Sequence, residues 1–283
     1  MNHHHHKPTL VLGATGKTGR RVLARLQAAG VPTRAGSRGA APPVDWEDPS
    51  TWPAVLDGAS AAYISYYPDL AIPGAVEAVG SFARLAVERD VRRLVLLAGR
   101  GEEAAELAED AVRASGADLT VLRATWFAQN FSEDYMVEGV LEGAVALPAG
   151  DTPEPFVDAD DIAAVAVAAL TEGGHVGQTY ELTGPRALSF AAAVREIGVA
   201  AGRHIEYVPV SMDDFAAGAA EHGVPADVIE LLTYLFTEVL DGRNSHVADG
   251  VQRALGRSPR DFSLYARDAA LSGVWNTNQP AAA

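Results

Sequence analysis

Residues 9–22, TLVLGATGKTGRRV, decide how this 283-residue chain folds. The first residues of the stretch form a short apolar run of the kind found in buried strands. Gly13, Gly16 and Gly19 follow at a three-residue spacing, and the apolar residues after them recur with a helical period. A strand, a glycine turn and a helix in this order predict a dinucleotide-binding motif.

Each glycine of such a motif has its own task. Gly13 permits the tight turn, Gly16 lets the backbone approach a pyrophosphate, and Gly19 lets the helix pack closely on the strand. The N-terminus of the helix then offers free N–H groups and partial positive charge to the phosphates. The alternative interpretation is a glycine-rich turn without a ligand.

The composition excludes several classes of function. The net charge of −15 argues against nucleic acid and anionic membranes as partners, because both bind basic faces. The chain has no cysteine, which excludes disulfides, thiolate catalysis and cysteine-bound zinc. A cysteine-free chain suits a reducing compartment, and no apolar run reaches membrane-spanning length, so we expect a cytoplasmic protein. The sequence leaves the oligomeric state open.

The histidines predict no metal site. Residues 1–7, MNHHHHK, resemble an expression tag and are excluded from the interpretation of the fold. The other histidines have no metal-ligand spacing, and each is interpreted as a surface or capping residue. They are His175, His204, His222 and His246.

The second predicted strand, residues 31–35, bears on the choice of cofactor. The residue after this strand lies beside the adenine ribose in a nucleotide-binding unit, where an acidic residue favours NAD. This chain instead has Ser37 and Arg38, with Arg34 just before them. A guanidinium beside a hydroxyl suits a 2′-phosphate, so NADPH is favoured over NADH. The alternative is that these arginines are ordinary solvated loop residues.

The next two predicted strands bring further residues to the same sheet edge. Residues 44–46 are predicted to end a short third strand, which places Asp45 and Trp46 at the adenine edge. Trp46 could equally cover the core. A fourth strand over residues 61–65 leads into Tyr66 and Tyr67, at the carboxyl end where open α/β sheets bind ligands.

Strands and helices alternate over the first part of the chain, so we expect an α/β fold with a Rossmann-type, doubly wound parallel sheet. The later chain is predicted to be mostly helical, with helices that include residues 127–141, 225–240 and 246–255. The predicted organisation is a nucleotide-binding domain over residues 8–125 plus about 158–183, a smaller substrate lobe over about 126–157 plus 184–275, and a frayed tail over 276–283.

Several stretches together resemble the NmrA-like group of atypical short-chain dehydrogenases. Within that group they look most like the clavine-type dehydrogenases of ergot alkaloid pathways (festuclavine and agroclavine dehydrogenases) and their bacterial relatives. The resemblance covers residues 9 to about 275. The stretches are GATGKTGRRV (13–22), AGSRG (35–39), LVLLAGRGE (94–102), LTVLRATWFAQNFS (119–132), FVDADDIA (156–163) and YELTGP (180–185).

The resemblance implies a set of site residues. It implies a cofactor site made of the glycine turn and the ends of the predicted strands, and a substrate cleft closed by the smaller lobe. The cofactor contacts implied by the matching motifs are Gly13, Thr15, Gly16, Lys17, Thr18, Gly19, Ser37 and Arg38. Their positions at the ends of predicted strands add Asp45, Trp46, Ser65, Tyr66, Ala98 and Gly99 as predicted cofactor residues. The substrate residues are Tyr67, Arg100, Trp126, Phe127, Asn130 and Tyr234, and Phe215 and Phe236 either roof the cleft or belong to the core.

The chain lacks the usual catalytic residues of a short-chain dehydrogenase. Such enzymes use a serine and a Tyr-x-x-x-Lys pair, but no lysine follows Lys17 and the serine position holds Ala98 or Gly99. One interpretation is hydride transfer to an iminium, a quinone-like or a conjugated carbonyl acceptor that needs little help from an acid. The candidate proton donors are Tyr66, Tyr67, Glu102 and Tyr135.

Two alternatives stay open at this point. One is a non-catalytic NADP(H)-binding redox sensor, and the other is a non-redox isomerase on the same fold. We favour an NADPH-dependent reductase, because aromatic residues follow the predicted strands at Tyr66, Tyr67, Trp126 and Phe127. Aromatic walls suit a small, flat organic substrate.

Overall fold

The computed structural model describes residues 7–277. The predicted tag therefore falls outside the described residues except for Lys7, and so does the predicted tail from residue 278 onward.

A parallel six-stranded sheet forms the centre of the fold, in the order β2-β1-β3-β4-β5-β7. A second sheet pairs β6 with β8, also in parallel. The strands are β1 (Thr9–Leu12), β2 (Thr33–Gly36), β3 (Ala61–Ile64), β4 (Arg93–Gly99), β5 (Asp118–Ala124), β6 (Ala144–Leu147), β7 (Thr179–Leu182) and β8 (Glu206–Pro209).

Helices connect these strands, with a 3₁₀ turn at Pro49–Thr51 and a π-helix at Leu235–Val239. The helices are α1 (Lys17–Ala28), α2 (Trp52–Leu56), α3 (Ala75–Glu88), α4 (Glu103–Ala114), α5 (Asn130–Glu133), α6 (Met136–Glu142), α7 (Ala159–Thr171), α8 (Phe190–Ala201), α9 (Met212–Glu221), α10 (Ala226–Tyr234), α11 (Gly250–Leu255) and α12 (Phe262–Ser272).

The strand order confirms the predicted doubly wound topology. The chain runs from β1 outward to β2 and then returns to place β3 on the other side of β1. The direction of winding therefore reverses between β1 and β3. Open α/β sheets bind ligands beyond the carboxyl ends of the strands at such a reversal.

The chain divides into two compact units. The first contains residues up to Ala124, together with Ala159–Leu182 and Asp249–Arg257. The second contains Thr125–Asp158, Thr183–Ala248 and the residues from Ser258 onward. Residues 249–257, which we expected in the substrate lobe, thus belong with the large sheet, where α11 packs on α7 and β7.

The large sheet is covered on both faces, as its apolar strands require. Every residue of β1 and β3 is buried. Ile64 belongs to the core that includes Phe82 of α3, while Tyr63 donates a hydrogen bond to the Thr18 hydroxyl of α1 at 2.9 Å. Successive strand residues point to opposite faces, so these two neighbours show that both faces are occupied. A parallel strand buried in this way gives the continuous apolar run seen in the sequence.

Helix α1 lies close to the turn that precedes it. A Cβ atom on Gly19 would overlap the carbonyl group of Gly13, and Gly13 itself has a φ of +65°. The turn is closed by a hydrogen bond from the Gly16 N–H to the Gly13 carbonyl at 2.9 Å. Gly19 is thus required by the distance between helix and turn, as the motif predicts.

The second unit has an aromatic core. The rings of Phe131, Phe156, Phe190 and Phe262 contact one another with centroid distances of 4.9–6.1 Å. The unit is not wholly helical, because it also contains the β6–β8 pair.

Three predicted elements differ from the structure. Residues 44–46 form a loop rather than a strand, since the Asp45 carbonyl accepts a hydrogen bond from the Trp52 indole at 2.7 Å. The helix predicted over 127–141 is two short helices, α5 and α6, separated at Asp134, whose backbone is extended. The helix predicted over residues 246–255 begins only at Gly250.

The glycines of the turn give a matched test of this packing. We expect Gly19→Ala to lower the free energy of unfolding by about 3 kcal/mol or more, because the methyl group would meet backbone that cannot move aside. Gly16→Ala should cost less than about 1 kcal/mol, because its Cβ would contact only the Gly13 carbonyl, at 3.3 Å. Urea denaturation of both variants measures the difference, and equal losses would contradict it.

Candidate active site

The glycine turn leaves a space at the start of α1. An added side chain at Gly16 would have no neighbour within 4 Å except the Gly13 carbonyl, and both Thr15 and Gly16 are exposed. Gly13, by contrast, lies against the end of β3, where its Cβ would be 3.0 Å from the Ser65 carbonyl oxygen. The turn therefore has one packed side and one open side, and a pyrophosphate fits the open side.

The charges at the start of α1 favour an anion there. The first turn of the helix carries no acidic residue, although acidic residues stabilise a helix N-terminus. It carries Lys17 instead, and Arg20 follows. Positive side chains on the positive end of a helix dipole are stabilised when a phosphate binds between them and the backbone N–H groups.

Thr18, one of the predicted cofactor residues, directs its side chain into the fold. Its side chain is buried, and its hydroxyl accepts the hydrogen bond from Tyr63 described above. Burial raises the pKa of Tyr63, so the phenol remains a donor at neutral pH. Thr18 can therefore contribute to a phosphate site only through its backbone N–H.

The two arginines of the predicted 2′-phosphate site, Arg34 and Arg38, are used differently in the structure. Arg38 is exposed in the loop after the strand. Arg34 is used within the fold, because its guanidinium donates to the carbonyls of Val55 and Asp57 at 2.6 and 2.7 Å. These carbonyls end helix α2, so Arg34 anchors that helix, and Arg38 is left as the cation that faces solvent.

Trp46 and Tyr66 form an aromatic wall beside these loops. Their ring centroids are 4.9 Å apart, and Trp46 also contacts Trp52 and Phe82 of the core. Trp46 is half-buried, so it covers the core and still presents a surface at the sheet edge. Burial, with a smaller contribution from Glu47, raises the pKa of Tyr66.

Tyr67, the neighbouring candidate, is 72% exposed. Its phenol projects into solvent rather than into an enclosed site.

Glu102 and Gly99 share one small space at the end of β4. A Cβ atom on Gly99 would overlap the Glu102 carboxyl group. Glu102 is only 5% exposed, and burial raises its pKa well above the ordinary value. Asp69, in the loop after β3, raises it further by its charge. A carboxyl group therefore fills the position where a side chain of residue 99 would begin.

Arg100, one of the predicted substrate residues, has a buried side chain that is used within the fold. Its side chain is 3% exposed and lies 2.9 Å from the Glu181 carboxylate of β7. A buried guanidinium held by a carboxylate is stable only while the pair stays intact. The sequence placed Arg100 at the sheet edge correctly, but the side chain turns toward the neighbouring strand.

Trp126, a predicted substrate residue, packs among the aromatic rings of the second unit. This half-buried residue lies at a tilt against Phe236, with ring centroids 4.8 Å apart, and meets the edge of Phe190 at 5.3 Å. Phe215 contacts Phe236 at 5.5 Å, and both belong to the hydrophobic core of this unit. Phe127, Asn130 and Tyr234 are half-buried on the same unit.

Tyr135 has an enclosed hydroxyl group. Among the described residues the hydroxyl has no hydrogen-bond partner, and burial, with a smaller effect of Asp134, raises its pKa well above the ordinary value. Tyr135 packs against the aromatic core of the second unit.

Asp69 is the residue that the sequence interpretation missed. It belongs to no motif, and its only signal was its position in the loop after a predicted strand, at the edge where ligands bind. The described part of the chain contains no cluster of three or more His, Asp or Glu groups suited to a metal. None of its helices is long and apolar enough to span a bilayer.

The chain is similar to proteins from fungi and bacteria along almost its whole length. It is 32% identical to festuclavine dehydrogenase easG of Aspergillus fumigatus over 282 residues, which cover 90% of this chain and 96% of that protein. It is 30% identical to the uncharacterized oxidoreductase YesF of Bacillus subtilis over 280 residues, which cover 95% and 97%. No protein-family model matches.

Solved structures share the fold at lower identity. The NADPH-dependent quinone oxidoreductase QOR2 of Escherichia coli, complexed with NADPH, superimposes with a TM-score of 0.77 at 22% identity. The match covers 92% of this chain and 99% of that one.

The two arginines near β2 give a matched test of cofactor choice. We expect Arg38→Ala to weaken NADPH binding about ten- to a hundredfold, because each charge-assisted hydrogen bond contributes roughly 1.5–3 kcal/mol. NADH binding should barely change, since NADH has no 2′-phosphate.

Arg34→Ala serves as the control. It should lower the stability of the protein and leave the ratio of NADPH to NADH affinity unchanged. Calorimetric titration with both nucleotides measures the ratio, and an equal loss of both nucleotides in Arg38→Ala would overturn the assignment.

Proposed function

This chain belongs to the NmrA-like group of atypical short-chain dehydrogenases, and from that membership we propose that it is an NADPH-dependent reductase of small, flat organic acceptors. The observation that carries the choice of cofactor is the open glycine cradle at a basic helix start, with exposed Arg38 on the adjacent loop. When bound, NADPH supplies the hydride.

We propose that the first unit holds this cofactor. The pyrophosphate would lie on the backbone of the glycine turn, and the adenine end would lie near β2 and Trp46. The residues proposed to hold the cofactor are Gly13, Thr15, Gly16, Lys17, Thr18, Gly19, Ser37, Arg38, Asp45, Trp46, Ser65, Tyr66, Ala98 and Gly99.

The acceptor is proposed from what the chain lacks. No lysine follows Lys17, and neither Ala98 nor Gly99 has a hydroxyl group. A simple ketone needs strong acid assistance as its oxygen gains charge, whereas an iminium carbon accepts hydride and leaves as a neutral amine. Quinone-like and conjugated acceptors spread the charge over several atoms. We propose that the substrate belongs to one of these classes.

The names of the relatives support this choice. One is called a festuclavine dehydrogenase, and a protein of the same fold is called a quinone oxidoreductase. Both names describe reactions of small organic molecules. A non-catalytic redox sensor and an isomerase were the alternatives, and the two sequence relatives at 30–32% identity, named as a dehydrogenase and an oxidoreductase, favour the reductase. We also propose a cytoplasmic location, since the chain has no cysteine.

A panel of acceptors tests the proposed activity. We expect the purified protein to oxidise NADPH with a cyclic iminium and with a benzoquinone or naphthoquinone, and to leave a simple unconjugated ketone unreduced. Absorbance of the reduced nicotinamide measures the rate. A protein that binds NADPH tightly and oxidises it with none of these acceptors would contradict the proposal and favour the sensor.

The aromatic residues give a second test. We expect Tyr66→Phe and Tyr67→Phe each to change the single-turnover rate less than about tenfold, below the effect of losing an essential acid. Trp126→Ala should slow the reaction more than either, because loss of the ring lets the acceptor shift from its reactive position. A thousandfold loss in one tyrosine variant would identify that tyrosine as the proton donor and favour a ketone substrate.

A further inference from the structure

Glu102 occupies an unusual place for a carboxyl group. It is the N-cap residue of α4, where a carboxylate side chain normally accepts a hydrogen bond from the helix. Glu102 makes no such bond, so the helix does not hold it as an anion. Its carboxyl group turns back over Gly99 at the carboxyl end of β4, one strand away from the reversal in the sheet.

Asp69 meets this carboxyl group from the neighbouring loop. One Asp69 oxygen, Oδ1, accepts a hydrogen bond from the Ala71 N–H at 2.8 Å, which fixes the side chain. Asp69 faces the Glu102 carboxyl group closely enough for its charge to raise the pKa of Glu102. A neighbouring negative charge disfavours the anionic form of a carboxyl group.

The structure indicates which group holds the proton. Glu102 is 5% exposed, whereas Asp69 is half-buried, so loss of solvation disfavours the anion more strongly at Glu102. Burial is the largest cause that raises the pKa of Glu102, and Asp69 is the facing group that adds to it. The cation of the same loop, Arg100, pairs with the Glu181 carboxylate at 2.9 Å.

The second oxygen of Glu102 is available for a ligand. Oε2 is buried and has no hydrogen-bond partner in the described part of the chain. Buried polar atoms are almost always paired, and an exception calls for a functional explanation. A neutral carboxyl group can carry its proton on either oxygen, so the unpaired Oε2 of Glu102 can present an O–H group to a ligand.

We propose that Glu102, positioned by Asp69, donates the proton that completes the reduction of quinone-like and conjugated carbonyl acceptors. This inference rests on the proposed reductase function. Glu102 is the donor, and Asp69 is a positioning residue that keeps the proton on Glu102.

Reduction of a conjugated carbonyl requires one hydride and one proton. The acceptor gains the hydride with its two electrons, NADPH being oxidised to NADP⁺, and the carbonyl π bond leaves an electron pair on oxygen. That oxygen forms a bond to the proton of Glu102 as the O–H bond of the carboxyl group breaks. Glu102 is then a carboxylate beside Asp69, and repulsion between them favours return of a proton from water. An iminium acceptor becomes neutral on taking the hydride and needs no proton.

The difference between acceptors gives the kinetic test. We expect Glu102→Gln, which keeps the shape and removes the acid, to slow quinone reduction by about a hundredfold or more. Iminium reduction by the same variant should change less than about threefold, far below the effect of losing an acid. Glu103→Gln, at an exposed position one residue further, is the matched control and should not alter either rate.

Asp69→Asn provides a second variant with a different signature. In the wild type, quinone reduction should fall as the pH rises through the raised pKa of Glu102. In Asp69→Asn this fall should move to lower pH, because the neighbouring charge that raises the pKa is gone. Equal slowing of both acceptors by Glu102→Gln, or an unchanged pH profile in Asp69→Asn, would overturn the inference.

The protein without cofactor gives a readout independent of activity. Glu102 keeps its proton in the folded protein above the ordinary glutamate pKa of about 4.3, so stability is full below that pH and falls as pH rises toward the raised pKa. Glu102→Gln should lack this loss and melt higher than the wild type at neutral pH. Above the ordinary glutamate pKa, the infrared band of a protonated carboxyl group should persist in wild type and Glu103→Gln and be absent in Glu102→Gln.

Absence of that band from the wild type would overturn the inference even if quinones are reduced. A wild-type protein that reduces no acceptor but shows the band would instead overturn the proposed function and, with it, the role of Glu102 as donor, while the protonated state of Glu102 would stand.

Discussion

The close approach of α1 to the turn after β1 is the constraint on which the rest of the structure depends. A helix that touches the Gly13 carbonyl leaves no room for a side chain at Gly19, and it brings the first N–H groups of the helix to the sheet edge. The same approach puts Thr18 within reach of Tyr63, so that the helix and β3 are joined by a buried hydrogen bond. Packing and anion binding therefore depend on the same few backbone atoms. This dependence explains why the glycine spacing in the sequence carried information on fold and ligand together.

The proposed chemistry depends on the polar group at the end of β4, which is the buried carboxyl group of Glu102 and not a hydroxyl group. The chain has no lysine after Lys17 that could acidify a tyrosine, and the end of β4 has no hydroxyl group. A carboxyl group kept neutral by burial supplies an acid by a different physical route, since desolvation rather than a neighbouring cation sets its pKa. Tyr66, Tyr67 and Tyr135 are less well suited as acids. Tyr67 faces solvent, and burial makes the other two phenols weaker acids than usual.

Local patterns in the sequence predicted the local structure, but they did not predict the directions of the side chains. The glycine turn, β1 and the parallel sheet follow from short-range spacing and apolar runs. Arg34 and Arg100 were placed at the correct strand ends, but each guanidinium bonds to a segment far along the chain, at Val55 and Glu181. The strand predicted at residues 44–46 was wrong for a similar reason, because the Asp45 carbonyl accepts a hydrogen bond from the Trp52 indole instead of pairing in the sheet. The contact between Glu102 and Asp69 joins two loops, and no spacing within either loop signals it.

The carboxyl group of Glu102 occupies the volume in which a side chain at position 99 would begin. A serine at position 99 would therefore fit only if the flexible Glu102 side chain turned away from the end of β4. A substitution at Gly99 would thus also move the acid at position 102, so these two positions are expected to change together.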